Sequence, residues 1–308
     1  MTQTAVGPQL IFHRTTVRKK DERVFAGKLC VLVVLVASGV FLALQQAFLL
    51  AGLGVVILAA AYTHAVELQH QCLHHSSFRR SSLHRWIGVP LGIPLLVAYS
   101  HYRVRHLQHH RYLGTPKDAE FFGFDTRQPL TLSTLVKGMF DTTRLWAVGR
   151  DIGRCIMSTW QYDMGQIAPK SRKAIINEYR MLALFIMALA GIWAAGGEEP
   201  ILRLWVLPFI LAMPLHFLVE LPEHILCDNE SVDVLRNTRS ITGSRLTTWF
   251  VNGNNLHIEH HAAMNVPINR LRERHGEVQE FAVNVQRTYT EFFGIVAQEV
   301  WRNRNRGA

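Results

Sequence analysis

Apolar and polar residues fall along this chain in long blocks rather than at the short period of a soluble fold. Residues 1–28 are polar and basic, and 29–66 are almost continuously apolar, broken mainly by Gln45 and Gln46. A single helix over that block would extend roughly 57 Å at about 1.5 Å per residue. A bilayer core is only about 30 Å thick. The block therefore predicts a helical hairpin, with helices over 29–45 and 47–67. A second pair follows, an apolar run at 181–195, a turn at Gly196-Gly197-Glu198-Glu199-Pro200, and a run at 201–219. Residues 86–98 are also apolar, but they are too few to cross and contain Pro90 and Pro94, so a re-entrant or interfacial segment is expected. Segments 131–160 and 281–301 mix Leu, Phe and Trp with charges. They read either as helices lying along headgroups or as soluble helices on a cap.

Charge gives this pattern a direction. The chain is 49% hydrophobic yet carries a formal net charge of +10. Of its 33 Lys and Arg, 6 lie in 1–28, 16 in 68–180 and 10 in 220–308, leaving only Arg203 near the other side. Positive residues mark the cytoplasmic side of a membrane protein. Four crossings with both termini inside satisfy that rule almost completely. No helix-turn-helix, zinc-finger or RNA-module pattern accompanies the basic excess, so no nucleic-acid partner is expected. The first apolar run lacks the short core and small-residue cleavage site of a signal peptide and is expected to be retained. Cys30, Cys72, Cys155 and Cys227 are scattered without a CxxC and are expected as reduced thiols.

The chemistry lies in the histidines. Eight of the 16 fall in three clusters, His70-x-x-x-His74, His106-x-x-His109-His110 and His257-x-x-His260-His261. Spacings of three and four place imidazoles on one helix face, a turn apart. Neutral imidazole binds iron, zinc, copper and nickel. A single zinc takes three or four protein ligands, so eight suit two metal ions better than one. An all-imidazole, oxygen-reactive pair suggests iron. If 86–98 crossed the membrane, the first two clusters would face opposite sides and could not share a site.

The order HxxxH, then HxxHH about thirty residues on, then a distant HxxHH, resembles the membrane fatty acid desaturases and the wider group of non-haem di-iron desaturases and hydroxylases. His106 to Gly114 is similar to the HxxHHRYLG of lipid and sphingolipid desaturases. Pro222-Glu223-His224 and Asn237-Thr238-Arg239-Ser240 resemble the stretch before the third box, and Asn255 to His261 resembles its NYHxEHH form. The likeness covers 62–124 and 180–275.

The resemblance implies an all-α integral membrane protein, with four transmembrane helices in two hairpins and a cytoplasmic helical cap holding a di-iron site. As one domain over 1–308, it would comprise an N-terminal segment at 1–28 and hairpins at 29–67 and 181–219. The first two boxes lie in 68–180 and the third in 220–308. The family also implies an extra histidine ligand, which His224 matches. The metal and catalytic set is then His70, His74, His106, His109, His110, His224, His257, His260 and His261. In acyl-CoA desaturases an asparagine one turn before the extra histidine holds a metal-bound water, and here that position is Glu220. The family's first box commonly has Asp or Glu after its first histidine, where this chain has Gln71. Glu67, a turn before His70, is the expected substitute acceptor.

Further expectations concern the remaining polar groups. His64 and His216 are open between function and packing. His75, His84 and His101 are expected as supporting or surface groups, and His13 and His275 as solvated. Asp118 and Glu120 are expected as helix-surface charges, with hydrogen bonds to ligand imidazoles as the alternative. Arg79, Arg80, Arg103 and Arg105 are candidates for meeting a phosphate or carboxylate headgroup.

The activity implied is oxygen-dependent desaturation of a fatty acyl chain or lipid, with two irons and dioxygen as co-substrate. A hydroxylase, ketolase or acetylenase on the same scaffold is the alternative, and a metal-binding or transport protein the more distant one. No fused cytochrome b5, dinucleotide-binding or iron–sulfur pattern is present, so a separate ferredoxin, cytochrome b5 or flavoprotein is expected as electron donor.

Overall fold

The computed structural model describes residues 16–119 and 124–304. Within them the chain is mostly helical, with almost no strand. Helices α1 (Lys19–Ala43) and α2 (Phe48–Leu73) form the first hairpin. Both exceed their expected limits. Residues 19–28 lack Pro, and α1 begins at Lys19, where Asp21 in its first turn accepts from the Arg18 backbone N–H at 2.9 Å and suits the positive end of the helix dipole. Nothing in 67–73 stops α2, so it runs to Leu73 and carries the first histidine cluster within it. Gly54 allows the two helices to touch backbone to backbone, since a Cβ there would lie 2.2 Å from the Ala43 nitrogen.

Helix α3 (Ser81–Gly92) absorbs Pro90 in its last turn. The chain then reverses through a short 3-10 turn at Ile93–Leu95 and Leu96, which takes φ +58°. It re-enters as α4 (Tyr99–Tyr112). At 12 residues, or about 18 Å, α3 is too short to cross, and the first two clusters stay on one side. Helices α5 (Leu132–Met139) and α6 (Thr142–Ile156) follow. Next comes α7 (Pro169–Ala194), joined through Gly196 and Gly197 to α8 (Glu198–Ile201), a π-helical turn at Leu202–Val206 and α9 (Leu207–Glu220). The expected five-residue turn is shorter than the sequence reading gave it. Glu198 and Glu199 favour a helix N-terminus, and Pro200 fits the first turn, where its missing N–H costs nothing.

Among the described residues, four helical stretches are long and apolar enough to cross a membrane: Lys19–Ala43, Phe48–Leu73, Pro169–Ala194 and Glu198–Glu223. Their outward side chains, among them Val33, Phe41, Phe48, Leu184 and Met187, are exposed, as a lipid-facing belt requires. The two hairpin turns meet at the end remote from the histidines. There the Arg203 guanidinium donates to Ala43 O at 3.3 Å and Gln45 O at 3.0 Å. At the opposite end lie α10 (Val234–Asn237), α11 (Arg245–Phe250), α12 (His257–Ala262), α13 (His275–Val278) and α14 (Tyr289–Arg302). A two-residue parallel pairing of β1 (Ser240–Ile241) with β2 (Val285–Gln286) ties them together. Of segment 281–301, only the part from Tyr289 is helical. All four cysteines are free thiols.

Candidate metal centre

Helix α2 presents His70 inside its last turn and His74 at its C-cap. Helix α4 presents His106, His109 and His110, and α12 presents His257, His260 and His261. His224 follows the 3-10 turn that ends the fourth span. Their ring nitrogens converge as two groups. His70, His74, His106, His110 and His260 form one, and His109, His224, His257 and His261 the other. The stacked rings of His110 and His261, with centroids 4.0 Å apart, join the two.

Hydrogen bonding alone cannot account for this packing. His106 Nε2 lies 2.7 Å from His70 Nε2, 2.9 Å from His74 Nε2 and 3.0 Å from His110 Nε2. In the second group, His109 Nε2 is 3.1 Å from His224 Nε2 and 3.2 Å from His261 Nε2. A neutral imidazole nitrogen offers either one N–H or one lone pair, and it cannot satisfy three like neighbours. Lone pairs aimed at a shared cation remove the conflict. Ligands about 2.05 Å from a metal and at right angles to each other stand about 2.9 Å apart, which is the spacing found. Burial holds His74, His106, His110, His257, His260 and His261 well below the ordinary imidazole pKa, and repulsion between neighbouring rings adds to it. Burial, with His109 adding, lowers His224 to about 3. The rings are therefore neutral, the form that ligates metal.

The outer nitrogens are treated unequally. Asp118 Oδ1 accepts from His109 Nδ1 at 2.7 Å, and Asn237 O accepts from His224 Nδ1 at 2.9 Å. Asp118 thus orients the His109 ring, the alternative to the helix-surface charge expected. By contrast, the Nδ1 atoms of His74, His257, His260 and His261 are buried without a hydrogen-bond partner. Glu223 Oε2 lies 3.4 Å from His257 Nε2, a contact that the sequence signals only through its place beside His224. Glu259, the central Glu of the third box, accepts from Ser240 Oγ and from His275 Nδ1, each at 2.5 Å. His275 is accordingly not a solvated group. It braces the third box, and the Glu259 carboxylate raises its pKa.

Glu67 does not bond His70 directly. Its carboxylate accepts from Asn254 Nδ2 at 2.5 Å, so an asparagine of the third-box approach stands between them. His216 lies between two carboxylates, with Nδ1 3.3 Å from Glu220 and Nε2 4.0 Å from Glu67. The atoms of these three residues also lie close enough to hold a cation. The two imidazole nitrogens face different carboxylates, and the buried Nε2, 4.0 Å from Glu67, has no hydrogen-bond partner. His64 serves packing: its Nδ1 donates to Phe250 O and its ring stacks on Trp249. His84 is likewise structural, accepting from the Phe78 N–H at 3.0 Å while its Nδ1 donates to Ser81 O. The exposed His75 stacks on it. His13 and Glu120 lie outside the described residues.

A cavity of about 470 Å³ opens beside the first group, with His106 in its wall. Val66, Leu95, Val97, Val148 and Met213 give it an apolar lining. His101, Tyr179, His216 and Glu220 add polar groups, and His101 Nδ1 lies 2.7 Å from the Tyr179 hydroxyl. Of the four arginines considered for a headgroup, only Arg105 lines this cavity. Arg79 pairs with Glu22 at 2.9 Å, and Arg103 caps α2 by donating to Leu73 O at 2.8 Å.

Comparison with known proteins agrees with this architecture. A family model described as fatty acid desaturase matches residues 46–293. A curated protein of Arthrospira platensis named sn-1 oleoyl-lipid 12-desaturase is 23% identical over 233 residues. That match spans 70% of this chain and 65% of the relative.

Proposed function

The chain belongs to the fatty acid desaturase family, and from that membership we propose that it is an oxygen-dependent, di-iron enzyme that places a double bond in the acyl chain of a lipid. One observation carries this reading, the convergence of nine imidazoles, eight of them buried, into two groups beside a cavity whose wall combines apolar and charged residues. The nine residues proposed to hold the irons are His70, His74, His106, His109, His110, His224, His257, His260 and His261. A carboxylate at Glu223 lies within reach of the four-histidine group. Two irons bound there would supply the oxidising power needed to break an unactivated C–H bond, using dioxygen and two external electrons. In balance, –CH2–CH2– plus O2, two electrons and two protons gives –CH=CH– and two waters.

The chain's own residues perform the rest. Burial keeps the ligand rings neutral and excludes water. Asp118 and Asn237 O fix the tautomer and tilt of His109 and His224. Val66, Leu95, Val97 and Met213 offer an acyl chain an apolar path that ends at His106. The relative's name specifies an oleoyl group on a lipid, which favours an acyl lipid as the substrate class. The distribution of Lys and Arg supports a cytoplasmic site and cytoplasmic termini. The basic face there suits an acidic one-electron donor. The whole of 1–308 is proposed as a single domain.

The test is turnover by iron-loaded protein in lipid nanodiscs with a ferredoxin or cytochrome b5 reducing system, followed by mass analysis of acyl chains. New unsaturation, without label from 18O2 in the lipid, is the expected result. Labelled oxygen in the product would replace desaturation by hydroxylation, and no oxidised lipid at all would refute the reading.

A further inference from the structure

We propose that α5 and α6 are seated on the bilayer surface and form a side wall of the cavity, past which the substrate chain enters from the membrane. The substrate is then a lipid already resident in the bilayer, not a chain presented on a soluble carrier. The entry half of this inference rests on the desaturase reading above, whereas the seating does not.

Two contacts set the depth of these helices. Arg180 is the last charged residue before the apolar run of α7. Its guanidinium donates to Cys155 O at 3.0 Å and to Ser158 Oγ at 2.8 Å, at the end of α6. Glu220 is the first charged residue after the apolar run of α9. Three residues before it, Phe217 packs against α5 at Gly138, where an added Cβ would lie 2.3 Å from the ring. Both helices therefore lie at the level where the spans leave the hydrocarbon.

Their outer faces suit that level. Leu132, Val136 and Phe140 recur every four residues along one side of α5 and its end, and all three are exposed. Trp146 on α6 is 76% exposed, and Ile156 and Met157 at its end are also uncovered. Lys137 and Arg154, both exposed, accompany them. Apolar side chains interleaved with cations suit a lipid surface with anionic headgroups. They do not suit water, which disfavours an apolar patch of this extent. The inner faces of the same helices wall the cavity through Gly138, Met139, Arg144 and Val148. The wall between the membrane surface and the cavity is thus one helix thick.

A nitroxide on Val136→Cys, in a Cys30→Ser, Cys227→Ser background in nanodiscs, tests the seating without any turnover. Collision with lipid-soluble oxygen should exceed collision with a water-soluble nickel chelate. The reverse order would overturn the proposal. So would low access to both, which would mean that a protein partner or a second copy covers the face. The double variant Val136→Asp, Phe140→Asp tests entry. Its KM for a bilayer-borne glycerolipid should rise about tenfold, the effect of about 1.4 kcal/mol, with kcat and iron content held. An unchanged KM, or conversion only of a soluble acyl thioester, would overturn lateral entry. If no substrate is desaturated, the desaturase reading and lateral entry fail together, and the nitroxide result still decides the seating.

Discussion

Replacing Asp118 should strip one metal centre and leave the other. The Asp118 carboxylate accepts from His109 Nδ1 at 2.7 Å, a charge-assisted contact, and its second oxygen faces the Gly114 N–H at 3.4 Å. His109 belongs to the four-histidine group alone. Asp118→Ala would leave a buried imidazole N–H without its acceptor and free the ring to tilt or change tautomer. Losing such a partner costs about 10–100-fold in metal affinity, or about 1.4–2.8 kcal/mol. Asp118→Asn should cost less, because its amide oxygen still accepts. The assay is a chelator titration of iron-loaded protein with iron per chain as the readout. Wild type should release both irons at similar chelator levels. Asp118→Ala should release one of them at a level about 10–100-fold lower, with the curve for the other unmoved. Both irons leaving together, or neither leaving earlier, would refute the division into two centres and the role given to Asp118.

Three other outcomes are expected. His260→Ala should abolish lipid oxidation and lower iron content, most strongly at the five-histidine group, while His13→Ala should leave both unchanged, as metal analysis and product assay can show. Glu223→Ala should weaken iron at the four-histidine group, whereas an unaltered chelator curve would remove Glu223 from the ligand sphere. His275 gains a partner in Glu259 and its pKa is raised, so the stabilisation is fully present below the unfolded value of about 6.5 and is lost as pH rises through the folded one. His275→Gln should therefore lower Tm more at pH 6 than at pH 9, and a loss independent of pH would show that packing, not charge, carries the contact.

The eight clustered imidazoles and the four spans are legible because both are written in local spacing, i, i+3, i+4 histidines for one and blocks of apolar residues for the other. The extra histidine, His224, was legible only through the family resemblance. What sequence reading missed arises between distant segments. Asp118 reads as a helix-surface charge until the turn at Gly114, with φ +71°, folds it back on His109. His275 reads as solvated because nothing nearby in sequence marks Glu259 as its partner, 16 residues away. Glu67 reads as the acceptor for His70, but its contact comes from Asn254, 187 residues on. Helix ends were misjudged where apolar pattern was used alone, since polar residues such as those at 19–28 extend a helix as readily as apolar ones.

The third cluster must reach the first across most of the chain, and polypeptide contacts alone bring it there. Asn252 Nδ2 donates to Glu67 O and to Gln71 Oε1, each at 3.1 Å, while its own oxygen accepts from Lys28 Nζ at 2.7 Å. One asparagine thus ties the approach to α12 onto both helices of the first hairpin. His64 adds a second tie through Phe250 O, and Arg239, buried at 3%, gathers the carbonyls of Pro222 and Ile225 beneath His224. These contacts join the segments that carry the third cluster and His224 to the first hairpin and to one another. The cost of that arrangement falls on the imidazoles, whose facing nitrogens are crowded and cannot all be paired. A cation held between these nitrogens would relieve that crowding, and the ties through Asn252, His64 and Arg239 would keep the three clusters in place around it.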